Sequence, residues 1–298
     1  MDKIAANICK KIFHDLPDKI NRCMVGQGNY VFVIRYATEK YVIRINNADN
    51  HYDNTIYWLK TLNEINVPVP EIIDCGKYDV YNYIILTYIE GRDIGDIYLD
   101  LSDKEKLQIA TKIVKIQNDV GNIKLDNIPQ DWKWIDFVNE MLARAGKRIS
   151  QNGYFDIGKV QRLHTAKNEM LKYFSQIKPI PYLDDVSTKN LLIDNGQISG
   201  IIDVDWIGIG DKLTFVALTY VALLNMCYDT DYIEYILQEM SLTATEQKAF
   251  IFYSLMFCVD FMGERGTRFT DKVVEVNETI ITRLNDIYDF LWDKWSNG

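Results

Sequence analysis

From residue 103 onward the sequence reads as one helix after another, with a single interruption. Leu191-Leu192-Ile193, Asp194-Asn195-Gly196 and Ile198 to Asp203 read as strand, turn and returning strand. Asn-Gly after Asp is the chemistry of a type I′ turn, whose two central residues both need positive φ. A lone two-stranded ribbon is marginal in water, so this one has to be buried against a larger body. A plain helical bundle is therefore excluded.

The first hundred residues have a different rhythm. Lys19 to Val25 leads into Gly26-Gln27-Gly28. Tyr30 to Tyr36 and Lys40 to Ile45, joined by Ala37-Thr38-Glu39, predict a hairpin. Asp53 to Ile65 places apolar residues at Ile56, Leu59 and 62–65, a helical repeat that Pro68 and Pro70 close. Glu71 to Tyr78 and Asn82 to Tyr88 predict a second strand pair. Helices are expected over Asp103–Asp119, Trp134–Ile149, Ile157–Gln176 and in several segments after Asp211. The reading is an α+β, two-lobed chain: a sheet-rich lobe over 1–90, a junction near Tyr88–Ile94, and a helical lobe over 91–298 that holds the buried hairpin. A cleft between two such lobes is a natural ligand site.

Composition removes several function classes. With 48% hydrophobic and 25% charged residues, the 298-residue chain is ordinary globular material. Its net charge of −9 argues against a nucleic-acid partner. That charge is uneven: residues 181–298 carry 8 Lys/Arg against 19 Asp/Glu, and the first 180 residues are slightly positive. Three scattered histidines (His14, His51, His164) make a His-based zinc site or a Ser-His-Asp triad improbable. The five cysteines form no CxxC pair; Cys75, Cys227 and Cys258, in apolar runs, are expected to be buried. The N-terminus lacks the pattern of a secretory signal, and the longest uncharged stretch, Leu213 to Tyr228, falls short of a bilayer span. The expectation is a cytoplasmic monomer or dimer with no membrane partner.

Chemistry concentrates in Tyr182-Leu183-Asp184-Asp185-Val186-Ser187-Thr188-Lys189-Asn190 and in Ile201-Ile202-Asp203-Val204-Asp205-Trp206. An Asp stands five residues before an Asn at the start of the hairpin, and another Asp ends its returning strand. Carboxylate and amide oxygens are hard ligands suited to Mg²⁺, and a further Asp can accept a hydroxyl proton. The spacing is the layout of a kinase catalytic hairpin. Asx side chains that merely cap a loop would use the same residue types.

On these residues the chain resembles the aminoglycoside phosphotransferase family of the protein-kinase-like superfamily, in pattern most like its hygromycin B phosphotransferase-like members. The glycine hairpin, Val67-Pro68-Val69-Pro70, Tyr88-Ile89-Glu90-Gly91, the D-x4-N loop, and Ile202-Asp203 followed by Gly210-Asp211 spread the likeness over nearly the whole chain. The resemblance implies Asp185 as catalytic base, with Asn190 and Asp203 holding Mg²⁺ against the phosphates of ATP or GTP. Arg44 stands where kinases carry the phosphate-contacting lysine, with Asp53 as a candidate acidic partner in place of the usual helix Glu. Gly26 and Gly28 would approach the phosphates, and Thr87, Tyr88 and Ile89 would face the purine. Asp184 and Asp205 either assist the metal or face water; Asp211 caps the following helix. Leu183 replaces a histidine that organises the loop backbone. Asp229, Asp231, Asp260 and Glu264 are candidates for drawing a cationic acceptor. The activity implied is a small-molecule kinase acting on a hydroxyl of an aminoglycoside-like antibiotic, and so an antibiotic-resistance function. Two alternatives stay open: a kinase of another hydroxylated compound (choline, a sugar, a macrolide), or a nucleotide-binding protein without transfer activity.

Overall fold

The computed structural model describes residues 1–23, 29–48, 51–126, 128–269 and 272–297. In chain order its elements are α1 (Asp2–Phe13), β1 (Lys19–Cys23), β2 (Tyr30–Tyr36), β3 (Glu39–Asn46), α2 (Asp53–Glu64), β4 (Ile72–Tyr78), β5 (Tyr81–Thr87), β6 (Arg92–Asp93), α3 (Ile94–Ile97), α4 (Asp103–Gly121), α5 (Trp134–Asn152), α6 (Gly158–Glu169), α7 (Leu171–Phe174), β7 (Pro181–Tyr182), β8 (Leu191–Asp194), β9 (Gln197–Ile201), β10 (Gly208–Ile209), α8 (Leu213–Asn225), α9 (Asp231–Met240), α10 (Ala244–Glu264), β11 (Arg268–Phe269), β12 (Lys272–Val273) and α11 (Glu278–Asn297). Two compact units result. The first is residues 1–92 with 191–206, the second 93–190 with 207–298. The hairpin expected inside the helical lobe thus groups with the sheet-bearing unit.

In the first unit an antiparallel sheet runs in the order β1-β2-β3-β5-β4. Strand alternation points Phe32, Ile34, Ile43, Ile45, Tyr83 and Ile85 to one face, where α1 covers them with Ala5, Ile8 and Cys9. Helix α2 buries Thr55, Trp58, Leu59 and Leu62, a stripe at helical spacing. The β8–β9 hairpin pairs Leu191 with Ile201 and Asp194 with Gln197. Its turn residues Asn195 (φ 48°) and Gly196 (φ 72°) are both left-handed, as type I′ requires. The ribbon is tied in by the Ile201 N–H, which donates to the Pro68 carbonyl at 2.7 Å.

The second unit is helical. Capping boxes start two of its long helices, Ser102 with Glu105 at α4 and Thr243 with Glu246 at α10. Nine of the thirteen residues of α8 are buried, the sign of a helix with neighbours all round. Residues such as Leu213, Phe215, Val216 and Val221 there contribute about 1.5–3 kcal/mol each by leaving water. The two-residue β7–β10 pair sets Tyr182 opposite Gly208 and delivers the chain to Leu183.

Two of the three cysteines expected inside are outside. Cys75 faces outward on β4, an edge strand, and Cys227 occupies a left-handed turn (φ 59°) just past α8; Cys258 is buried. Apolar neighbours in sequence do not fix which way one strand or turn residue points. Among the described residues no helix is long and apolar enough to cross a membrane.

Candidate active site

In the second unit the Asp185 loop is anchored from behind. Leu183 is buried, and the side chain of Gln117, in α4, grips both of its backbone groups. The Leu183 N–H donates to Gln117 Oε1 at 2.9 Å, and Gln117 Nε2 donates to the Leu183 carbonyl at 2.8 Å. Gln117 is 1% exposed and Leu183 2%, so the clamp is dry. Burial, reinforced by the neighbouring Asp185 charge, pushes the Asp184 carboxyl up to about 6. Asp185 itself is exposed, whereas Val186, Ser187 and Thr188 are buried. The Gly95 N–H donates to the Thr188 carbonyl at 2.9 Å, and a Cβ on residue 95 would lie 2.7 Å from that oxygen. Only glycine allows this approach.

Asn190 ends the loop in left-handed backbone (φ 66°). Its N–H donates to Asp93 Oδ1 at 2.8 Å. Its amide nitrogen donates to the Asp185 carbonyl at 3.0 Å and to Asp185 Oδ2 at 3.1 Å. Both partners are acceptors, so the NH₂ end must face them and Oδ1 is the end of the amide turned away from them. Burial raises the Asp93 carboxyl, against the pull of the Asn190 hydrogen bond.

In the first unit Asp203 lies just beyond β9, exposed and also left-handed (φ 60°). Asp and Asn are the non-glycine residues that enter this region most readily, because their short polar side chains can bond locally. Arg44, on β3, is 8% exposed and lies 3.5 Å from Asp203 Oδ1. Its main partner is Asp205. Arg44 Nη1 donates to Asp205 Oδ1 at 2.9 Å, and Nη2 donates to Oδ2, a two-pronged pair. Burial disfavours the Arg44 charge, but the Asp205 hydrogen bonds and charge, with Asp203 behind them, hold its pKa above the ordinary guanidinium value. From α2, Thr55 Oγ1 donates to Asp205 Oδ1 at 2.8 Å and the Asn54 amide donates to the Asp205 carbonyl. The Arg44 guanidinium also lies over the Tyr52 ring, 5.8 Å from its centre, and Tyr52 Oη donates to Asn29 Oδ1 at 2.9 Å.

Comparison with known proteins then decides the family. The sequence model described as the phosphotransferase enzyme family matches residues 19–225, more than half of the chain. The chain belongs to that family. Its architecture, a sheet-bearing unit followed by a helical one, is the protein-kinase-like fold, as in three solved structures. The ADP-bound aminoglycoside phosphotransferase APH(2'')-Ib superposes with a TM-score of 0.66 at 15% identity, covering 98% of this chain and 98% of its own. A thermostable mutant of aminoglycoside phosphotransferase APH(4)-Ia, in ternary complex with ADP and hygromycin B, gives 0.62 at 16% identity, with 98% and 96% covered. A fructosamine-3-kinase of Haemophilus somnus 129PT gives 0.62 at 14%, with 98% and 97% covered. At such identities the likeness establishes fold alone, and it does not single out the hygromycin B enzyme. Among curated proteins, the uncharacterized protein in the ileS 3′ region of Staphylococcus aureus is 33% identical over 68 residues, 22% of this chain; the aligned part spans about half (52%) of that relative.

Set within this phosphotransferase family, the expected site residues divide. Asp185 and Asn190 share one hydrogen-bonded loop in the second unit; Arg44 and Asp203 share a cluster in the first. Gly26 and Gly28 lie outside the described residues. At the junction, the Thr87 N–H donates to the Glu71 carbonyl at 3.0 Å and the Tyr88 N–H to the Lys40 carbonyl at 3.4 Å, so both N–H groups are taken up within the first unit. Ile89 packs over Gly200, which has no side chain to block it. Asp53 is exposed and Asp205 takes the arginine instead. Asp211 caps α8 by accepting from the Leu213 N–H at 3.0 Å, and also receives the hydroxyls of Tyr173 and Tyr253.

The four acids proposed for a cationic acceptor do not form one open surface. Asp229 accepts from Lys106 Nζ at 2.8 Å and from Tyr98 Oη at 3.1 Å, and those bonds outweigh desolvation to lower its pKa. Asp231 begins α9 next to it. Asp260 accepts from Arg144 and Arg148, and Glu264 lies 3.7 Å from Arg148. The cations that neutralise Asp229, Asp260 and Glu264 are distant in sequence, which hid these pairs from a reading of composition. Gln117, Asp93 and Gly95 also escaped notice, because each acts through residues far along the chain.

Proposed function

We propose that this phosphotransferase transfers the γ-phosphoryl group of ATP or GTP to a hydroxyl of a small aminoglycoside-like molecule. Asp185 accepts the hydroxyl proton and orients the attacking oxygen. Arg44 steadies the nucleotide phosphates, and residues 1–90 serve as the nucleotide lobe. Asn190 and Asp203 are the residues that would hold Mg²⁺, which when bound neutralises phosphate charge. Each residue by itself offers a donor of the kind that ion takes: Asn190 an amide oxygen turned away from Asp185, Asp203 an exposed carboxylate, both hard oxygens. Among the described residues no group of three or more His, Cys, Asp or Glu forms a metal cage. Mg²⁺ is typically held by one or two protein oxygens together with substrate phosphates. Catalysis in this scheme is mostly positioning and charge neutralisation.

The observation that carries the reading is the Asn190 amide, turned by Asp185 and held in left-handed backbone by Asp93. Asn tolerates left-handed backbone, so the support lies in the direction of the amide, whose nitrogen is held by Asp185 while its oxygen is turned away. The likeness to APH(2'')-Ib and APH(4)-Ia supports an amine-bearing polyol as acceptor. The fructosamine-3-kinase neighbour, at nearly the same TM-score, favours a second reading with an amino-sugar metabolite in that role. Both are tested by incubating the protein with ATP or GTP and Mg²⁺ against aminoglycosides and glycated amines and reading the mass gain of one phosphoryl group. Asp185→Ala should lower turnover by about 10²–10⁴-fold while nucleotide still binds. Transfer at the wild-type rate in that variant would remove Asp185 from its role.

A further inference from the structure

Arg44 is a nearly buried cation, and a buried charge persists only with a partner. In protein kinases the equivalent cation on the third strand is held by a glutamate on the following helix. Helix α2 supplies no such acid here. Asp53 faces solvent, and the residues that reach the Arg44 cluster, Asn54 and Thr55, bring an amide and a hydroxyl. Both act as donors, and both donate to Asp205.

We propose that Asp205 is the positioning carboxylate for Arg44, replacing the missing helix acid. This rests on the reading of Arg44 as the phosphate-steadying residue. Asp205 Oδ1 accepts from Arg44 Nη1 and Thr55 Oγ1, Oδ2 accepts from Arg44 Nη2, and its carbonyl accepts from Asn54. The carboxylate has moved from the helix to the segment after β9, and the helix now presents donors where an acid would otherwise stand. One residue therefore joins β3, α2 and the strand end that carries Asp203. Three of its roughly four acceptor sites are taken by these donors, whereas Asp203 is the exposed carboxylate of the pair. Thr55 is 2% exposed, so its hydroxyl has this acceptor in place of water.

The test measures binding of AMP-PNP and GMP-PNP to the full chain by calorimetry, with and without Mg²⁺. Asp205→Asn keeps the shape and removes the charge. It should weaken Mg²⁺-free binding about tenfold or more, to the same extent as Arg44→Ala, and the double variant should be little worse than either, since coupled residues are not additive. Thr55→Glu added to Asp205→Asn returns a carboxylate from the helix side and should recover most of the loss. Wild-type binding by Asp205→Asn when Arg44→Ala is impaired overturns the proposal. So does an effect of Asp205→Asn that is confined to the Mg²⁺ requirement, which would make it a metal ligand. Wild-type binding by Arg44→Ala instead sinks the functional reading of Arg44 itself. Should Asp205→Asn show no cooperative melt, Thr55→Val carries the test through loss of one donor. Binding weakened about two- to fivefold supports the proposal, and unchanged binding refutes it.

Discussion

Gln117→Leu is the most direct probe of how the Asp185 loop is held. The substitution keeps the volume and removes both bonds to the Leu183 backbone, at 2.8 and 2.9 Å. With Leu183 2% exposed, water cannot readily replace them, and a buried N–H and C=O are left unpaired. Each such group costs about 1–3 kcal/mol, giving roughly 2–6 kcal/mol in all. For a cooperative unit of about 150–250 residues, 1 kcal/mol moves the melting temperature by about 2–4 °C, so a fall of around 10 °C is expected by calorimetry. Turnover should fall further than nucleotide affinity, because the loop that loosens carries Asp185 and Asn190. Gln117→Glu sharpens the test. Its carboxylate still accepts from the Leu183 N–H but opposes the Leu183 carbonyl, so the destabilisation should be larger at pH 8 than at pH 5, where the protonated acid can donate. A melting shift below about 3 °C in Gln117→Leu, with unchanged turnover, would show that the clamp is incidental.

The Asp184 carboxyl, raised from 3.8 to about 6, favours the protonated form in the folded state, so its ionisation burdens the fold. That penalty is absent below about pH 4, grows between pH 4 and 6, and stands in full above pH 6. Asp184→Asn should thus stabilise the protein at pH 8 by at most about 3 kcal/mol and leave it unchanged at pH 4, as read from denaturant midpoints. A gain equal at both pH values would mean that packing, not ionisation, is responsible. Gly95→Ala places a Cβ 2.7 Å from the Thr188 carbonyl and must displace the Asp185–Asn190 loop. We expect at least a tenfold loss of turnover with cooperative melting retained, and wild-type turnover would show that the loop tolerates the shift.

Much of the fold was legible because it rests on local patterns. Strands β2 and β3 follow from alternating β-branched and aromatic residues, α2 from its apolar stripe and the prolines behind it, and the β8–β9 turn from Asp194-Asn195-Gly196. Helix α1 and the two-residue strands β7, β10, β11 and β12 were not anticipated: a short amphipathic helix gains its stability from the sheet it covers, and a two-residue strand has no period to read. Leu183 stands where the resemblance implies an organising histidine, which looked like a gap in the support of the Asp185 loop. Gln117, 66 residues earlier, closes it.

The sequence by itself determined which side chains are available for chemistry, since the spacing of Asp185, Asn190 and Asp203 along one hairpin is a local property. It also determined that Arg44 would lie on a strand of the sheet. What only the tertiary structure decided is how each of these is held and which acids remain open. Asp205 rather than Asp53 neutralises Arg44, Asp93 rather than a neighbour pins Asn190, and Lys106, Arg144 and Arg148 occupy acids that looked available to a substrate. Hydrogen bonds and ion pairs act over about 3 Å in space whatever the separation along the chain, and a linear sequence carries no record of that distance.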